Sequence, residues 1–180
     1  MMNNTIIQWA VAALFIGYTG YSTFKSIKLL TTHRQKLEEF QTRFPHAELY
    51  DRSKSGMSVA IVLCLLCAVL YFTTDRFGVA PDQLFYYKLA YISLGIVFVG
   101  LIFESYVRQR MWFTEEGLFF VDTYYRFRMI TDYEIQKSLM KNVKIVWGNK
   151  GDFIVSAKMA QEIRAREKAW KEQRKKNKKK

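Results

Sequence analysis

The sequence predicts an integral membrane protein with three transmembrane helices and a small cytoplasmic α+β tail domain, rich in β-strands and closed by a helix. Half of the 180 residues are hydrophobic and 16% are aromatic, yet the formal net charge is +12. The apolar residues concentrate in three long runs, whereas Lys and Arg dominate the last quarter of the chain. This segregation argues against a single soluble domain, and the aromatic content argues against a disordered chain.

Each of the three runs has the length of a transmembrane helix. The runs cover residues 5–24, 55–74 and 84–103. Twenty residues at about 1.5 Å rise per residue span a hydrocarbon core of about 30 Å. The third run contains one charge, Lys88, close enough to its start for the amine to reach the headgroups. Core helices of a soluble protein are the alternative, but the remaining chain is too short to cover three of them.

The basic residues outside the runs predict the orientation. Seven Lys and Arg lie between the first and second runs, one lies between the second and third, and nineteen follow the third. By the positive-inside rule, the N-terminus is outside, and both the segment 25–54 and the C-terminal tail are cytoplasmic. We expect a multi-pass protein of a plasma membrane. A bacterial source is favoured because a compact chain with an uncut N-terminal helix and few cysteines is typical there.

The first connecting segment continues the helical pattern of the run before it. Its apolar residues fall on one stripe and are Leu29, Leu30, Leu37, Phe40 and Phe44. Pro45 ends the pattern. We therefore expect the first helix to extend beyond the bilayer and to lay this stripe against the membrane surface or the tail domain. A solvated connector without a partner is the alternative. The predicted regions are 1–104 for the membrane part, 105–162 for the β-rich domain and 163–180 for a basic helical or disordered tail.

The tail changes to the two-residue period of β-strands. Tyr125, Phe127 and Met129 alternate with Arg126 and Arg128, which predicts one or two strands between residues 118 and 130. A bend is expected near residues 122 and 123.

A hairpin and a helix follow these strands. Val143 to Trp147 and Phe153 to Ser156 flank the turn from Gly148 to Gly151, which predicts a hairpin. Ser156 is then placed to cap a helix that gathers Met159, Ala160, Ile163 and Trp170 on one side.

The tail elements follow a definite order. Glu115, Glu116 and Gly117 form a turn signal before the aromatic-rich strand, and the short segment Ile130 to Ile135, the hairpin and the final helix follow. Over about residues 111–170 this order resembles the membrane-tethered bacterial pleckstrin-homology-like domains. The pattern supplies fewer strands than the seven of a complete barrel. The resemblance implies a cytoplasmic interaction or scaffold domain beside the membrane, with no chemistry of its own.

The sequence contains no cluster of residues that predicts catalysis. Cys64 and Cys67 share a helical face inside the second run, where small packing residues are the simplest interpretation. His33 and His46 have no neighbouring nucleophile or ligand in the sequence. We therefore predict a protein that is not an enzyme and that uses no cofactor or metal ion.

The basic C-terminus carries the strongest remaining signal. Residues 163–180 contain ten Lys and Arg against two Glu, and such a cluster binds anionic lipids with about 1 kcal/mol per basic residue near the surface. A solvated segment that only sets topology is an alternative, and nucleic acid is disfavoured because no aromatic residue follows Trp170 for base stacking. The candidate lipid- or partner-binding residues are Lys171, Arg174, Lys175, Lys176, Lys178, Lys179 and Lys180.

These observations predict a small, non-catalytic plasma-membrane protein that serves as a scaffold or accessory subunit. Its cytoplasmic domain would bind a protein partner or a second copy of the chain, and its polybasic tail would contact anionic lipids. The alternative is a subunit of a membrane transport or envelope-synthesis complex whose active residues lie in another chain.

Overall fold

The computed structural model describes residues 2–136, 142–148 and 151–177, with the side chains of residues 2–5 and 82 outside this description. The helices are α1 (Met2–Arg43), α2 (Ser53–Thr73), α3 (Pro81–Arg108) and α4 (Ala157–Asn177). The strands are β1 (Glu48–Asp51), β2 (Arg110–Phe113), β3 (Gly117–Phe120), β4 (Thr123–Arg126), β5 (Ile130–Ile135), β6 (Asn142–Trp147) and β7 (Gly151–Ser156). Short 3-10 turns occupy Thr74–Arg76 and Phe127–Met129.

The chain forms two compact units. The helical unit comprises Met1–His33 and Arg52–Val107, and the α+β unit comprises Arg34–Asp51 and Arg108–Lys180. The division differs from the predicted regions, because the segment before α2 belongs to the α+β unit and α4 runs without interruption through residue 163.

Two helical stretches in the helical unit are long and apolar enough to cross a membrane. They are Ser53–Arg76 and Gln83–Arg108. Val62 and Leu65 of α2 are each 62% exposed, whereas a core helix of a soluble protein would bury such residues. Within the described part of the chain these two stretches alone satisfy the length and hydropathy criteria, so the third expected span, 5–24, is not shown.

The predicted first span lies within α1, and polar residues lower its hydropathy. Gln8, Thr19 and Ser22 interrupt its apolar sequence. Thr19 is buried, and its hydroxyl donates to the backbone oxygen of Phe15 at 2.8 Å. This bond satisfies the hydroxyl inside the helix, so a polar residue is accommodated on the packed face of α1.

The helices α1 and α3 pack through small residues. The Thr23 hydroxyl donates to the backbone oxygen of Ile96 at 2.9 Å, and a Cβ atom added to Gly100 would lie 3.3 Å from the Thr23 oxygen. Nearer the start of both helices, the rings of Trp9 and Phe85 meet edge to face with centroids 5.9 Å apart. The two helices therefore run parallel, and glycine permits their close approach.

Lys88 has a partner that the sequence did not predict. Its ammonium lies 2.8 Å from a carboxylate oxygen of Asp75, in the connection between α2 and α3. It also lies 5.6 Å from the centre of the Tyr71 ring. The charge in the third run is thus paired within the helical unit.

The α+β unit contains two antiparallel sheets. One has the strand order β1-β2-β3-β4 and the other has the order β5-β6-β7. Both sheets contribute to one apolar core, to which α4 adds Met159, Ala160 and Ile163. The main buried side chains from the strands are Met111, Phe113, Leu118, Phe120, Ile130, Val143, Ile145, Phe153 and Val155.

The segment 25–54, predicted as a helical cytoplasmic loop whose helix Pro45 ends, also contains a strand that the sequence analysis did not predict. Helix α1 ends at Arg43, as Pro45 predicted, but β1 follows it and pairs with β2 in an antiparallel register. A strand of four residues has too short a pattern to be recognised locally, and this one is defined by a partner far along the chain. Among the described residues, β1 joins six strands of the tail, so seven strands form the two sheets.

The apolar stripe after the first run packs on the sheet that contains β1. The Phe40 ring stacks on Phe119 with centroids 4.8 Å apart, and the Phe44 ring stacks on Tyr124 at 5.1 Å. Of the two surfaces expected for this stripe, the structure therefore shows contact with the tail domain.

The strands predicted in the tail are present, except that the alternating pattern at Phe127 and Met129 forms a 3-10 turn, where the chain passes from one sheet to the other. The bend expected near residue 122 is the connection between β3 and β4, and the predicted hairpin is β6 and β7. Gly148 and Gly151 have φ angles of 53° and 144°, which other residues rarely adopt. Asn149 and Lys150 of that turn lie outside the described residues.

Candidate anion-binding surface

The basic surface is built on α4, whose opposite side belongs to the core. Ser156 precedes the helix, and its hydroxyl accepts the backbone N–H of Met159 at 3.5 Å, as predicted for a capping residue. Met159 and Ile163 are at most 1% exposed. Burial of this apolar stripe leaves the Lys and Arg side chains of the helix toward solvent.

A buried carboxylate ties α4 to β5. Glu167 is 6% exposed, and the Tyr133 hydroxyl donates to it at 2.7 Å. The Arg164 guanidinium lies over the Tyr133 ring, 4.5 Å from its centre. Burial, and secondly the hydrogen bond to Glu167, raise the pKa of Tyr133 well above its usual range. Glu167 also forms an ion pair with Lys171, so this predicted lipid-binding residue already has a partner.

A second ion pair ties α4 to β1. The Arg166 guanidinium binds Glu48 of β1 and, at 3.0 Å, Glu162 one turn earlier in α4. Hydrogen bonds to these two carboxylates raise the pKa of Arg166. The guanidinium also lies 5.2 Å from the centre of the Phe113 ring. These contacts fix α4, which carries the basic surface, against the sheet that contains β1 and β2.

The cationic side chains converge on a groove between α4 and the 3-10 turn Phe127–Met129. Trp170 packs near Phe127 with ring centroids 6.3 Å apart, and Arg174 lies 5.5 Å above the Trp170 ring. The groove has a volume of about 430 Å³. We call it the cationic groove, and its lining residues are Phe127, Arg128, Ile130, Trp170, Lys171, Arg174 and Lys175.

The charge of this groove has one sign. Among the described residues, four cations line it and no carboxylate does. A neighbouring hollow of about 440 Å³ is lined by Arg126, Arg128 and Arg174, but Glu115 and Glu116 line it as well and offset two of these three charges. An anion would be repelled by those two carboxylates, so the cationic groove is the better anion site.

The predicted lipid- or partner-binding residues fall into three groups: those that line the cationic groove, one that does not, and those outside the described residues. Lys171, Arg174 and Lys175 line the cationic groove, whereas Lys176 is exposed on α4 and does not line it. Lys178, Lys179 and Lys180 lie outside the described residues. Sequence reasoning missed Arg128, which it assigned only to the alternating pattern of a strand. The basic residues around the aromatic Phe127 were the available signal.

The described side chains offer no metal centre. In the described part of the chain, no three His, Cys, Asp or Glu side chains are grouped so that they could hold a metal ion. Cys64 and Cys67 are free thiols in α2. His33 is buried in α1, and His46 is exposed after it.

Comparisons with known proteins give no further constraint. No protein-family model, no curated protein and no solved structure matches the chain.

Proposed function

We propose that this protein is a non-catalytic, multi-pass plasma-membrane protein that serves as a scaffold or accessory subunit. It presents the α+β unit to a partner at the cytoplasmic face and contacts anionic lipids through the basic end of α4. The single observation that carries this proposal is the pairing of β1 with β2, the two strands that flank the apolar helices α2 and α3 in the chain.

The strand pairing supports a hairpin that crosses the membrane twice. β1 ends at Asp51, immediately before α2, and β2 begins at Arg110, immediately after α3. Their register places these two residues opposite each other. The chain therefore enters α2 and leaves α3 from neighbouring points of one sheet. The two apolar stretches contain 24 and 26 residues, and each exceeds the about 20 residues that a hydrocarbon core of about 30 Å requires.

The parallel packing of α1 on α3 supports a third span. Trp9 lies opposite Phe85 near one end, and Thr23 lies opposite Ile96 and Gly100 farther along. If α3 crosses the bilayer, the part of α1 packed along it is immersed to the same depth. Three spans put the N-terminus on the opposite side from the α+β unit. The excess of Lys and Arg in the segments that form this unit favours the cytoplasm for it.

The strand count supports an interaction domain. β1 adds the seventh strand to the six of the tail, and α4 closes the core of both sheets. A count of seven strands among the described residues supports the resemblance to pleckstrin-homology-like domains, with β1 supplied by a segment that precedes the apolar hairpin. A fold of this kind, without a catalytic cluster among its described residues, suits the binding of a partner.

The topology is tested with three single cysteines in a chain that carries Cys64→Ala and Cys67→Ala. The new cysteines are Asn3→Cys, Gln83→Cys and Lys158→Cys, and an impermeant thiol reagent is applied to intact cells. We expect labelling at positions 3 and 83, with labelling at position 158 only after lysis. Labelling of Lys158→Cys in intact cells would contradict the orientation, and labelling at position 83 but not at position 3 would contradict the third span.

The role as a scaffold or subunit is tested by purification of the full chain in mild detergent. We expect a stoichiometric protein partner or a homo-oligomer. A partner with an active site would favour the subunit role over the scaffold role, whereas recovery of the monomer alone would contradict both.

A further inference from the structure

We propose that the cationic groove is a discrete binding site for the phosphate of an anionic phospholipid headgroup, with Arg128 as one of its ligands. This inference rests on the proposed function, in which the basic end of α4 contacts anionic lipid. It goes beyond that function because a basic tail attracts any anionic surface, whereas a groove of defined shape holds one headgroup at a time.

The first argument is the convergence of cations from two distant segments. Arg128 comes from the turn between β4 and β5, and Arg174 and Lys175 come from the end of α4. These three side chains take part in none of the ion pairs that the structure records among its described residues, so their donors are available. Two guanidinium groups present planar forks that match phosphate oxygens, and a phosphate can accept from both.

The second argument is the apolar floor. Phe127 is 2% exposed, Ile130 is 8% exposed and Trp170 is half-buried beside them. A free phosphate would use only the cations, whereas a phospholipid can also place its glycerol and upper chain carbons against the accessible part of the Trp170 ring, which Phe127 and Ile130 support from beneath. A half-buried tryptophan is the side chain that prefers such an interface between headgroups and hydrocarbon. The lining therefore favours a lipid over inorganic phosphate.

The third argument is that the groove is held in shape without a ligand. Two backbone hydrogen bonds fix the turn around Arg128, from Phe127 N–H to the oxygen of Glu116 at 2.9 Å and from Gly148 N–H to the oxygen of Met129 at 2.8 Å. The other wall, α4, is fixed by the ion pair of Arg166 with Glu48 of β1 and by the hydrogen bond of Glu167 with Tyr133 of β5. A preformed site loses less conformational entropy when the ligand binds.

The test uses the full chain in neutral detergent and counts bound lipids by native mass spectrometry. Short-chain phosphatidylglycerol is the probe and phosphatidylcholine of the same chain length is the reference. We expect the parent to retain one phosphatidylglycerol in preference to phosphatidylcholine. Arg128→Gln should weaken this first binding event by about fivefold or more, the loss expected for one basic contact. Arg128→Lys keeps the charge but loses the planar guanidinium group. Its affinity for phosphatidylglycerol should lie between those of the parent and of Arg128→Gln.

Lys168→Gln is the matched control. Lys168 is exposed on α4 and does not line the groove, so this variant removes the same charge from outside the site. At an ionic strength of about 0.15 M we expect it to weaken binding less than Arg128→Gln does, because an exposed charge that does not line the groove is screened by water and salt. Thermal unfolding of each variant checks that the fold is intact, and Arg128→Lys replaces Arg128→Gln if that variant unfolds.

The outcomes separate this inference from the proposed function. Equal losses in Arg128→Gln and Lys168→Gln, with binding retained by the parent, would overturn the discrete site and leave a diffuse attraction. Failure of the parent to prefer phosphatidylglycerol would instead contradict the lipid contact in the proposed function. Displacement of the lipid by inorganic phosphate, compared with chloride at equal ionic strength, would overturn the choice of a lipid as the ligand.

Discussion

Asp51 and Arg110 face each other across the ladder of β1 and β2, although 59 positions separate them in the chain. The guanidinium contacts one carboxylate oxygen with Nη2 at 2.9 Å and Nε at 3.0 Å. The two side chains are 21% and 17% exposed, respectively. This ion pair lies where the chain leaves the α+β unit for the two apolar helices and where it returns. It therefore stabilises the closure of a long chain segment.

Asp51→Asn should destabilise the α+β unit, because it removes the carboxylate charge that pairs with the largely buried guanidinium of Arg110. We expect the free energy of unfolding to fall by about 1–3 kcal/mol. The matched control is Glu134→Gln, which removes a carboxylate 3.6 Å from Lys144 that is 54% exposed, and its effect should be at most about 1 kcal/mol. Unfolding of the full chain in detergent can be followed by fluorescence, since Trp112, Trp147 and Trp170 belong to this unit. Equal effects of the two substitutions would contradict the importance of the pair.

Gly117→Ala should disrupt the hairpin of β3 and β4. A Cβ atom at this position would lie 2.3 Å from the backbone oxygen of Tyr125 and 3.0 Å from the Cα atom of Arg126. Because backbone atoms must move, we expect a loss of about 1–3 kcal/mol in the free energy of unfolding. Gly95→Ala in α3 is the control, since its new Cβ atom would meet nothing within 4 Å and alanine favours helix. An unchanged unfolding temperature of Gly117→Ala would contradict this prediction, because it would mean that β3 and β4 accommodate the new Cβ atom without loss of stability.

The contribution of Tyr133 to stability should be lost at high pH. Burial raises the pKa of Tyr133 in the folded protein above the ordinary tyrosine value of 10.0, so the phenol stays protonated in the folded chain while it ionises in the unfolded chain. The stabilisation is therefore complete below pH 10 and declines as the pH rises above 10, by up to about 1.4 kcal/mol per pH unit. The advantage of the parent over Tyr133→Phe in denaturant unfolding should shrink between pH 9 and 11. A constant difference across this range would contradict the prediction.

The α+β unit should fold without the apolar hairpin if β1 is kept. The test chain joins residues 34–52 to residues 108–177 through a short Gly-Ser linker, because residues 51 and 110 are already paired. We expect strand content by circular dichroism and a cooperative thermal transition. The control chain, residues 108–177 alone, lacks β1 and the partner of Arg166 on that strand, so it should unfold at a lower temperature. Equal transition temperatures would show that β1 contributes little to the unit.

The sequence alone determined the elements whose signals are local. The apolar composition of α2 and α3 indicates helices that are long enough to cross a membrane, whatever their surroundings. The hairpin of β6 and β7 follows from two strand patterns around a turn with two glycines. The buried side of α4 follows from the helical spacing of Met159, Ala160 and Ile163. In each case, neighbouring residues supply the physical reason for the structure.

Only the tertiary structure decided which distant residues act together. β1 is a strand because β2 offers it hydrogen bonds, and its four residues have no pattern that requires this partner. Arg128 lies in the cationic groove because the turn after β4 packs beside the end of α4, and Glu167 binds the Tyr133 hydroxyl because β5 packs against the same helix. The spacing of apolar residues in the sequence indicates which face of a helix or strand is buried. Which residues meet depends on how several such faces are buried at once, and that is decided by the packing of the whole core.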